Sequence, residues 1–255
     1  MSSHTIATAV HPASAAKRPR SRNRVRRARI AATLLVLLGV ADAQAGSTSG
    51  SVTVSSDYLF RGVTQANRKP ALQGGVTYTA DGGFYVGGWG SSISWLSDAD
   101  PAVSSQVELD GFLGYSGTFG DSDVGFDVGA NYYWYPGSYP AGFNNPDTLE
   151  LYAGVTWKIL SAKYYHATTD LFGVPDSNGS GDLDVAANWE FAPSWTLNAG
   201  GGKQWVRHNS GADYTYWKVG VTKSFESGFS LAASYNDTDI TGLDDAFVLS
   251  LSKAF

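Results

Sequence analysis

The sequence predicts an all-β fold: a closed antiparallel transmembrane β-barrel of twelve strands, with short periplasmic turns and longer extracellular loops. Three observations predict it. The chain ends in phenylalanine, and Phe247, Leu249, Leu251 and Phe255 share one parity of the last segment, interrupted by Lys253. Ser250, Ser252 and Ala254 share the other parity. A run that is oily on one side and small or polar on the other suits a strand between lipid and a lumen. A secretory-type leader stands at the opposite end, and the connections between alternate short and long.

The leader is read as residues 1–45 and the barrel domain as 46–255. Lys17, Arg18, Arg20, Arg22, Arg24, Arg26, Arg27 and Arg29 make a basic opening, and Ile30 to Val40 an apolar stretch. That stretch is too short for a membrane helix, which needs about 20 residues. Ala43-Gln44-Ala45 offers small residues where a signal peptidase reads them, and Ala41-Asp42-Ala43 is an alternative cut. A nucleic-acid tail or a mitochondrial-type leader would explain the basic run but not the apolar stretch and cleavage-like site. The whole chain carries 18 basic and 23 acidic residues. Eight of the basic residues and Asp42 lie in the leader, so the remaining chain has net charge -12 with histidine neutral. A soluble nucleic-acid binder would carry the opposite sign, and no nucleic-acid partner is expected. Cysteine is absent, which excludes disulfides and thiolate metal sites.

After the leader no apolar stretch is long enough for a membrane helix. Thirty glycines, 14 Tyr, 12 Phe and 8 Trp favour pleated surfaces and lipid interfaces over helices. Strands are expected near 51–60, 71–80, 83–93, 106–118, 123–135, 148–158, 160–169, 182–191, 194–206, 214–225, 228–236 and 245–255. In the fifth, Val124, Phe126, Val128, Ala130, Tyr132 and Trp134 oppose Gly125, Asp127, Gly129, Asn131, Tyr133 and Tyr135. In the sixth, Leu149, Leu151, Ala153, Val155, Trp157 and Ile159 oppose Glu150, Tyr152, Gly154, Thr156 and Lys158. In the eighth, Leu183, Val185, Ala187, Trp189 and Phe191 oppose Asp182, Asp184, Ala186, Asn188 and Glu190. A period of two with one charged face marks a half-wet strand.

Turn residues place short links at 81–82, 120–122, around 159, at 192–193 and at 226–227. Longer links fall at 61–70, 94–105, 136–147, 170–181, 207–213 and 237–244. All the long ones therefore leave one end, and both termini leave the other. An open edge would strand peptide groups in hydrocarbon at several kcal/mol each, so the first and last strands must pair. Tyr58, Phe60, Tyr132, Trp134, Trp157, Trp189, Trp195 and Trp205 fall near strand ends and are expected in two interfacial belts.

The expected lumen lining is Glu108, Asp110, Asp127, Glu150, Lys158, Asp182, Asp184 and Glu190, with Lys163 a further basic candidate. Unpaired charges are too costly for a dry core, so these imply a wet lumen or a paired internal network. The first alternative is a porin-like channel for passive diffusion of small polar or cationic solutes, because an acidic lining repels anions. The second is a plugged structural or adhesion barrel that presents its outer loops.

No catalytic, cofactor-binding or metal-ligating residues are expected. His166, Thr168 and Asp170 have the residue types of an acyl-transfer set, but nothing in the sequence activates them. Asp170, Asp176, Asp237, Asp239, Asp244 and Asp245 are hard oxygen donors without the spacing of a calcium loop. There is no Gly-Lys-Ser/Thr phosphate loop and no dinucleotide fingerprint in a βαβ context. In Arg61-Gly62, the glycine can take positive φ, and the arginine can pair with an acidic wall or meet lipopolysaccharide phosphate.

The stretch Ser51-Val52-Thr53-Val54-Ser55-Ser56-Asp57-Tyr58-Leu59-Phe60-Arg61-Gly62-Val63-Thr64-Gln65 resembles the N-terminal signature of the proteobacterial Gcw_chp, or TorF-like, outer-membrane family. Pro70-Ala71-Leu72-Gln73-Gly74-Gly75 and Gly87-Gly88-Trp89-Gly90-Ser91 are similar to it too. Asp57, Tyr58, Phe60, Arg61, Gly62 and Gln65 match the signature. The resemblance implies a small exported barrel, sometimes described as porin-like, with no catalytic residues. It implies outer-membrane lipids, lipopolysaccharide and the barrel-assembly machinery as partners, besides any small polar solutes.

Overall fold

The computed structural model describes residues 46–255, so the leader at 1–45 lies outside the described residues. Strand β1 (Ser47–Ser55) is followed by a small hairpin of β2 (Leu59–Phe60) and β3 (Val63–Thr64). Then come β4 (Ala71–Thr79), β5 (Phe84–Ser92) and a short helix α1 (Trp95–Ala99). The rest are β6 (Val107–Thr118), β7 (Val124–Trp134), β8 (Thr148–Trp157), β9 (Leu160–Ala167) and β10 (Gly181–Ala192). The chain finishes with β11 (Trp195–Trp205), β12 (Tyr214–Ser224), β13 (Phe229–Thr238) and β14 (Ala246–Ala254). Twelve of these, all but β2 and β3, form one closed antiparallel barrel in which each strand pairs with its sequence neighbours.

The seam joins β1 to β14, from Ser51 opposite Ala254 to Ser55 opposite Ser250. Phe255 extends it by one step: its N–H donates to the Gly50 carbonyl at 3.0 Å, and its carbonyl accepts from the Gly50 N–H at 2.9 Å. The Phe255 ring lies over Gly50, where a Cβ would approach it to 2.6 Å. A side chain at position 50 would push the terminal ring off the seam.

Alternation sorts the wall as the sequence predicts. Val52, Val54, Leu72, Val76, Leu113, Val128, Leu151, Val155, Val185, Leu231, Leu249 and Leu251 are exposed on the outer face. Trp157, Trp189 and Trp195 are exposed at the short-turn end, and Tyr132, Trp134 and Trp205 at the long-loop end. These are the two belts in which amphipathic rings meet the headgroup region. Lysines stand beside several of them: Lys223 Nζ lies 5.2 Å from the Trp195 ring, and Lys253 Nζ 5.3 Å from the Phe229 ring. Lys253, the break in the terminal apolar series, thus reaches along the wall to the turn, where it donates to the Ser227 carbonyl at 2.6 Å.

Three expectations need correction. The first strand does not run from 51 to 60; it stops at Ser55, and Tyr58 and Phe60 leave the wall for the interior. The chain bends at Ser56-Asp57, held by the Ser55 hydroxyl on the Asp57 carbonyl, and Arg61-Gly62, with φ of 47° and 79°, then reverses it. Two positive φ values make the two-residue turn that reverses a tight hairpin, and Phe60 then pairs with Val63. Tyr58 and Phe60 accordingly belong to no lipid belt. Lys158 does not line the lumen either. It takes φ of 54° in the two-residue link between β8 and β9, and its Nζ stands 5.0 Å from the outward Trp157 ring.

The dry packing lies at the long-loop end. Tyr58, Ala66, Ala71, Ile93, Leu96, Val103, Tyr133 and Tyr135 form a buried cluster, with Phe60, Trp89, Trp95, Tyr139, Phe143 and Phe172 against it. Helix α1 contributes Leu96, which is fully buried. The loops therefore cover part of the outer mouth, and the barrel interior below them is lined by polar and small side chains on one side and by aromatic rings with carboxylates on the other.

If the outer face meets hydrocarbon, Val185→Arg should destabilise the barrel by about 2–4 kcal/mol, the cost of Arg near mid-membrane. Asn188→Arg, on the inner parity of the same strand, should cost much less. Denaturant unfolding in lipid vesicles checks this, and equal losses would reject the assignment of faces.

Candidate functional site

The hairpin β2–β3 continues directly from β1 and folds into the lumen instead of outward. Its base is fixed locally. The Ser55 hydroxyl donates to the Asp57 carbonyl at 2.6 Å, and the Thr64 hydroxyl to Asp57 Oδ1 at 2.7 Å. The Gln65 N–H donates to the Tyr58 carbonyl at 2.7 Å. The Gln65 carbonyl in turn accepts from the N–H groups of Ser94 and Trp95, tying the hairpin to α1. Burial pushes the Asp57 carboxyl above the ordinary carboxylate range, while the Thr64 hydroxyl and nearby backbone N–H groups oppose that shift.

The tip carries Arg61, the centre of the site. Its Nη1 and Nη2 donate to Glu150 Oε1 and Oε2 at 2.9 and 2.8 Å, a bidentate pair. Nη1 also donates to Gln204 Oε1 at 2.9 Å, and Nε lies 3.3 Å from Asp182 Oδ2. The guanidinium stacks near two rings, 4.7 Å from Phe60 and 5.0 Å from Tyr165. The three side chains are 6, 1 and 0% exposed for Arg61, Glu150 and Asp182. Buried charges are tolerated when geometry and surrounding donors are good. Tyr133 Oη donates to Glu150 Oε2 at 3.0 Å, and Tyr216 Oη to Asp182 Oδ2 at 3.0 Å. Gly62, at the second turn position, has no room for a side chain: a Cβ would come within 2.8 Å of Tyr216 Cβ. The hairpin thus spans from β1 to anchors on β8, β10 and β11.

The other lining residues fall around this crossing. Tyr58 Oη donates to Glu108 Oε1 at 3.0 Å. Asp127 accepts from Lys163 Nζ at 2.6 Å and Tyr85 Oη at 2.5 Å, and the Tyr85 and Tyr152 hydroxyls are themselves in contact. Asp184 Oδ2 accepts from Tyr216 Oη at 3.2 Å. Glu190 keeps the inner parity but sits at the short-turn end, where Oε1 accepts from the Ser194 N–H at 2.9 Å. Asp110 faces inward beside Asn131 Nδ2, a long 3.5 Å away, and its Oδ1 has no partner. A cavity of about 560 Å³ opens before Asp110 and Asp127, and a second of about 190 Å³ before Asp184 and Lys218.

Sequence reasoning missed Lys218, Tyr216 and Gln204. Their signal was present in alternation: Tyr214, Tyr216, Lys218, Gly220 and Thr222 share one parity of β12. Of the two partners open to Arg61 in the sequence, an acidic wall or lipopolysaccharide phosphate, the structure shows the acidic wall. His166 points from the outer face, and the Thr168 hydroxyl donates to the Leu149 carbonyl at 3.1 Å. No acyl-transfer set is therefore assembled around it. Among the described residues no group of His, Asp and Glu side chains is arranged to hold a metal ion.

A closed twelve-strand wall, oily outside and acidic within, with its first loop folded into the lumen, defines a bacterial outer-membrane β-barrel. The chain belongs to the Gcw_chp family, described as a bacterial protein of unknown function, which it matches over residues 41–250. No curated protein matches the sequence. Among solved structures it is similar to a KdgM porin at 8% identity and TM-score 0.53, covering 81% of this chain and 99% of that one. A KdgM porin in complex with disordered oligogalacturonate gives 8% identity, TM-score 0.51 and coverage of 83% and 99%. The NanC porin gives 10% identity, TM-score 0.50 and coverage of 80% and 97%. The likeness is one of barrel fold. Asp57, Tyr58, Phe60, Arg61, Gly62 and Gln65, on which the sequence resemblance rested, lie in the inward hairpin and its clamp.

Arg61→Ala leaves Glu150 and Asp182 buried without a cation, a loss worth about 3–5 kcal/mol for a broken buried pair. Amide exchange over 57–65 should then rise sharply while β10 to β12 stay protected. Unchanged protection of the hairpin would show that Tyr58 and Phe60 hold it without the clamp.

Proposed function

We propose that this barrel is a narrow channel for passive diffusion of small polar or cationic solutes, with the inward hairpin setting its bore. One observation carries the reading. Cavities flank the hairpin, and each is faced by a carboxylate, Asp110 or Asp184, with no Lys or Arg nitrogen at ion-pair distance among the described residues. Hydrated space beside carboxylates that lack an ion-pair partner favours cations over anions; Lys163 and Lys218 line the same cavities and temper that preference.

The inner faces of four neighbouring strands support a passage beside the hairpin. Ser230, Ala232 and Ser234 on β13 stand next to Ser250 and Ser252 on β14. Thr53 and Ser55 on β1 and Gly75 and Thr77 on β4 continue the same side. Small side chains line that side of the lumen, while Tyr, Phe and Trp line the opposite side around the larger cavity. A twelve-strand barrel is intermediate between packed eight-strand barrels and open sixteen-strand porins, so modest side chains and one inserted hairpin decide whether it conducts.

A second reading, a plugged barrel that presents its outer loops, is favoured by the Arg61 clamp and by the apolar packing of Phe60 against Tyr133 and Phe172, 5.6 and 5.4 Å between ring centres. Reconstitution separates the two. Small, steady single-channel currents with cations preferred are expected, Asp184→Asn should weaken that preference, and Arg61→Ala should enlarge the current. Folded, inserted protein that passes no current, with or without Arg61, sinks the channel reading.

A further inference from the structure

The larger cavity has a wall built for more than water. Trp89 on β5, Asp110 on β6 and Tyr133 on β7 are direct partners across adjacent strands, and all three lie on the inner parity. Directly opposed residues on one face stand side by side. The result is a row of aromatic ring, carboxylate and aromatic ring. Phe112, two residues along β6, extends it towards the short-turn end. Tyr58 of the hairpin covers it from the loop end, with its ring edge-on to Trp89 at 5.4 Å. The hydroxyl of Tyr58 is occupied by Glu108 and that of Tyr133 by Glu150, so both phenols are held in place by carboxylates outside the row.

Among the described residues Asp110 and Glu108 have no Lys or Arg partner, and of the two only Glu108 has a hydroxyl donor, that of Tyr58. Glu150 and Asp182 have Arg61, and Asp127 has Lys163. Asp110 has one oxygen enclosed without a donor and the other beside a distant Asn131 amide. A carboxylate removed from bulk water is costly unless a positive charge offsets it, and the fold supplies none. Aromatic faces attract cations through their quadrupole, most strongly in Trp and when water is displaced.

We propose that the Trp89–Asp110–Tyr133 row, with Tyr58 and Phe112, is a binding site for a small organic cation, an alkylammonium group seated between the rings and in front of the Asp110 carboxylate. The inference deepens the proposed passage of small cations by giving it a resting place, and it stands or falls separately from conduction. A cation there gains ring contact and an opposite charge at once. An anion meets Asp110, and Lys163 beside it is already paired with Asp127; a neutral solute gains only contact area.

Choline is a suitable probe, and 3,3-dimethylbutan-1-ol is its neutral counterpart of nearly the same shape. Calorimetric titration of the folded barrel in detergent requires no current. Choline should bind saturably, and the neutral alcohol at least about tenfold more weakly, as expected if charge against rings and carboxylate contributes the difference. Asp110→Asn keeps the side-chain shape and should weaken choline binding by about tenfold; Trp89→Leu, retained heat-modifiable migration showing that it folds, should weaken it too. Absence of saturable choline binding, equal binding of the two probes, or full binding by Asp110→Asn overturns the site. Choline binding without conductance supports the site and removes the channel; conductance without choline binding removes the site alone.

Discussion

Everything in this molecule follows from the rule that peptide groups facing hydrocarbon must find partners in the protein. The rule forces closure, and closure fixes the rest. The β1–β14 seam, extended by Phe255 and Gly50, leaves no free edge in the wall. Once the wall is closed, each strand has one face in lipid and one in the lumen, and alternation becomes a chemical division between oil and water. The lumen can then hold charge that no soluble core of this size would accept. Glu108, Asp110, Asp127, Glu150, Asp182 and Asp184 occupy that permitted space.

Permission is not the same as neutrality. Much of the acidic wall is answered by specific partners, and the most elaborate answer is Arg61. Its guanidinium suits the task because it stays charged, presents several donors in one plane and stacks on rings. A lysine at this position would have to choose among Glu150, Gln204 and Asp182. The hairpin carries the cation to the middle of the acids, so a loop supplies what the strands lack. Where no such cation arrives, at Asp110, a carboxyl group lines the larger cavity with one oxygen left without a partner.

Much of the architecture was legible in the sequence because it rests on period-two patterning and on turn residues. Those signals located the twelve wall strands, the alternation of link lengths and the inner placement of Glu108, Asp127, Glu150, Asp182 and Asp184. What was not legible depended on three-dimensional closure. Tyr58 and Phe60 have the parity and aromatic character of belt residues; the bend at Ser56-Asp57 sends them inward and the turn at Arg61-Gly62 keeps them there as a hairpin. Lys158 continues the polar parity of β8, but the strand ends one residue before it and the chain reverses. The row of Trp89, Asp110 and Tyr133 required the register of three strands, which no single segment contains. The resemblance drew on residues 51–65 as a string, and nothing in that string says that it folds inside.

The position of the hairpin has a consequence for how the molecule is made. It grows from β1, the strand that must meet the very last one, yet it is secured by side chains on β8, β10 and β11. Those holdfasts exist only after most of the polypeptide has been laid down. A chain that has not yet formed β8, β10 and β11 therefore cannot hold the hairpin at Arg61. Its final position is set late, by strands that belong to the same closed wall.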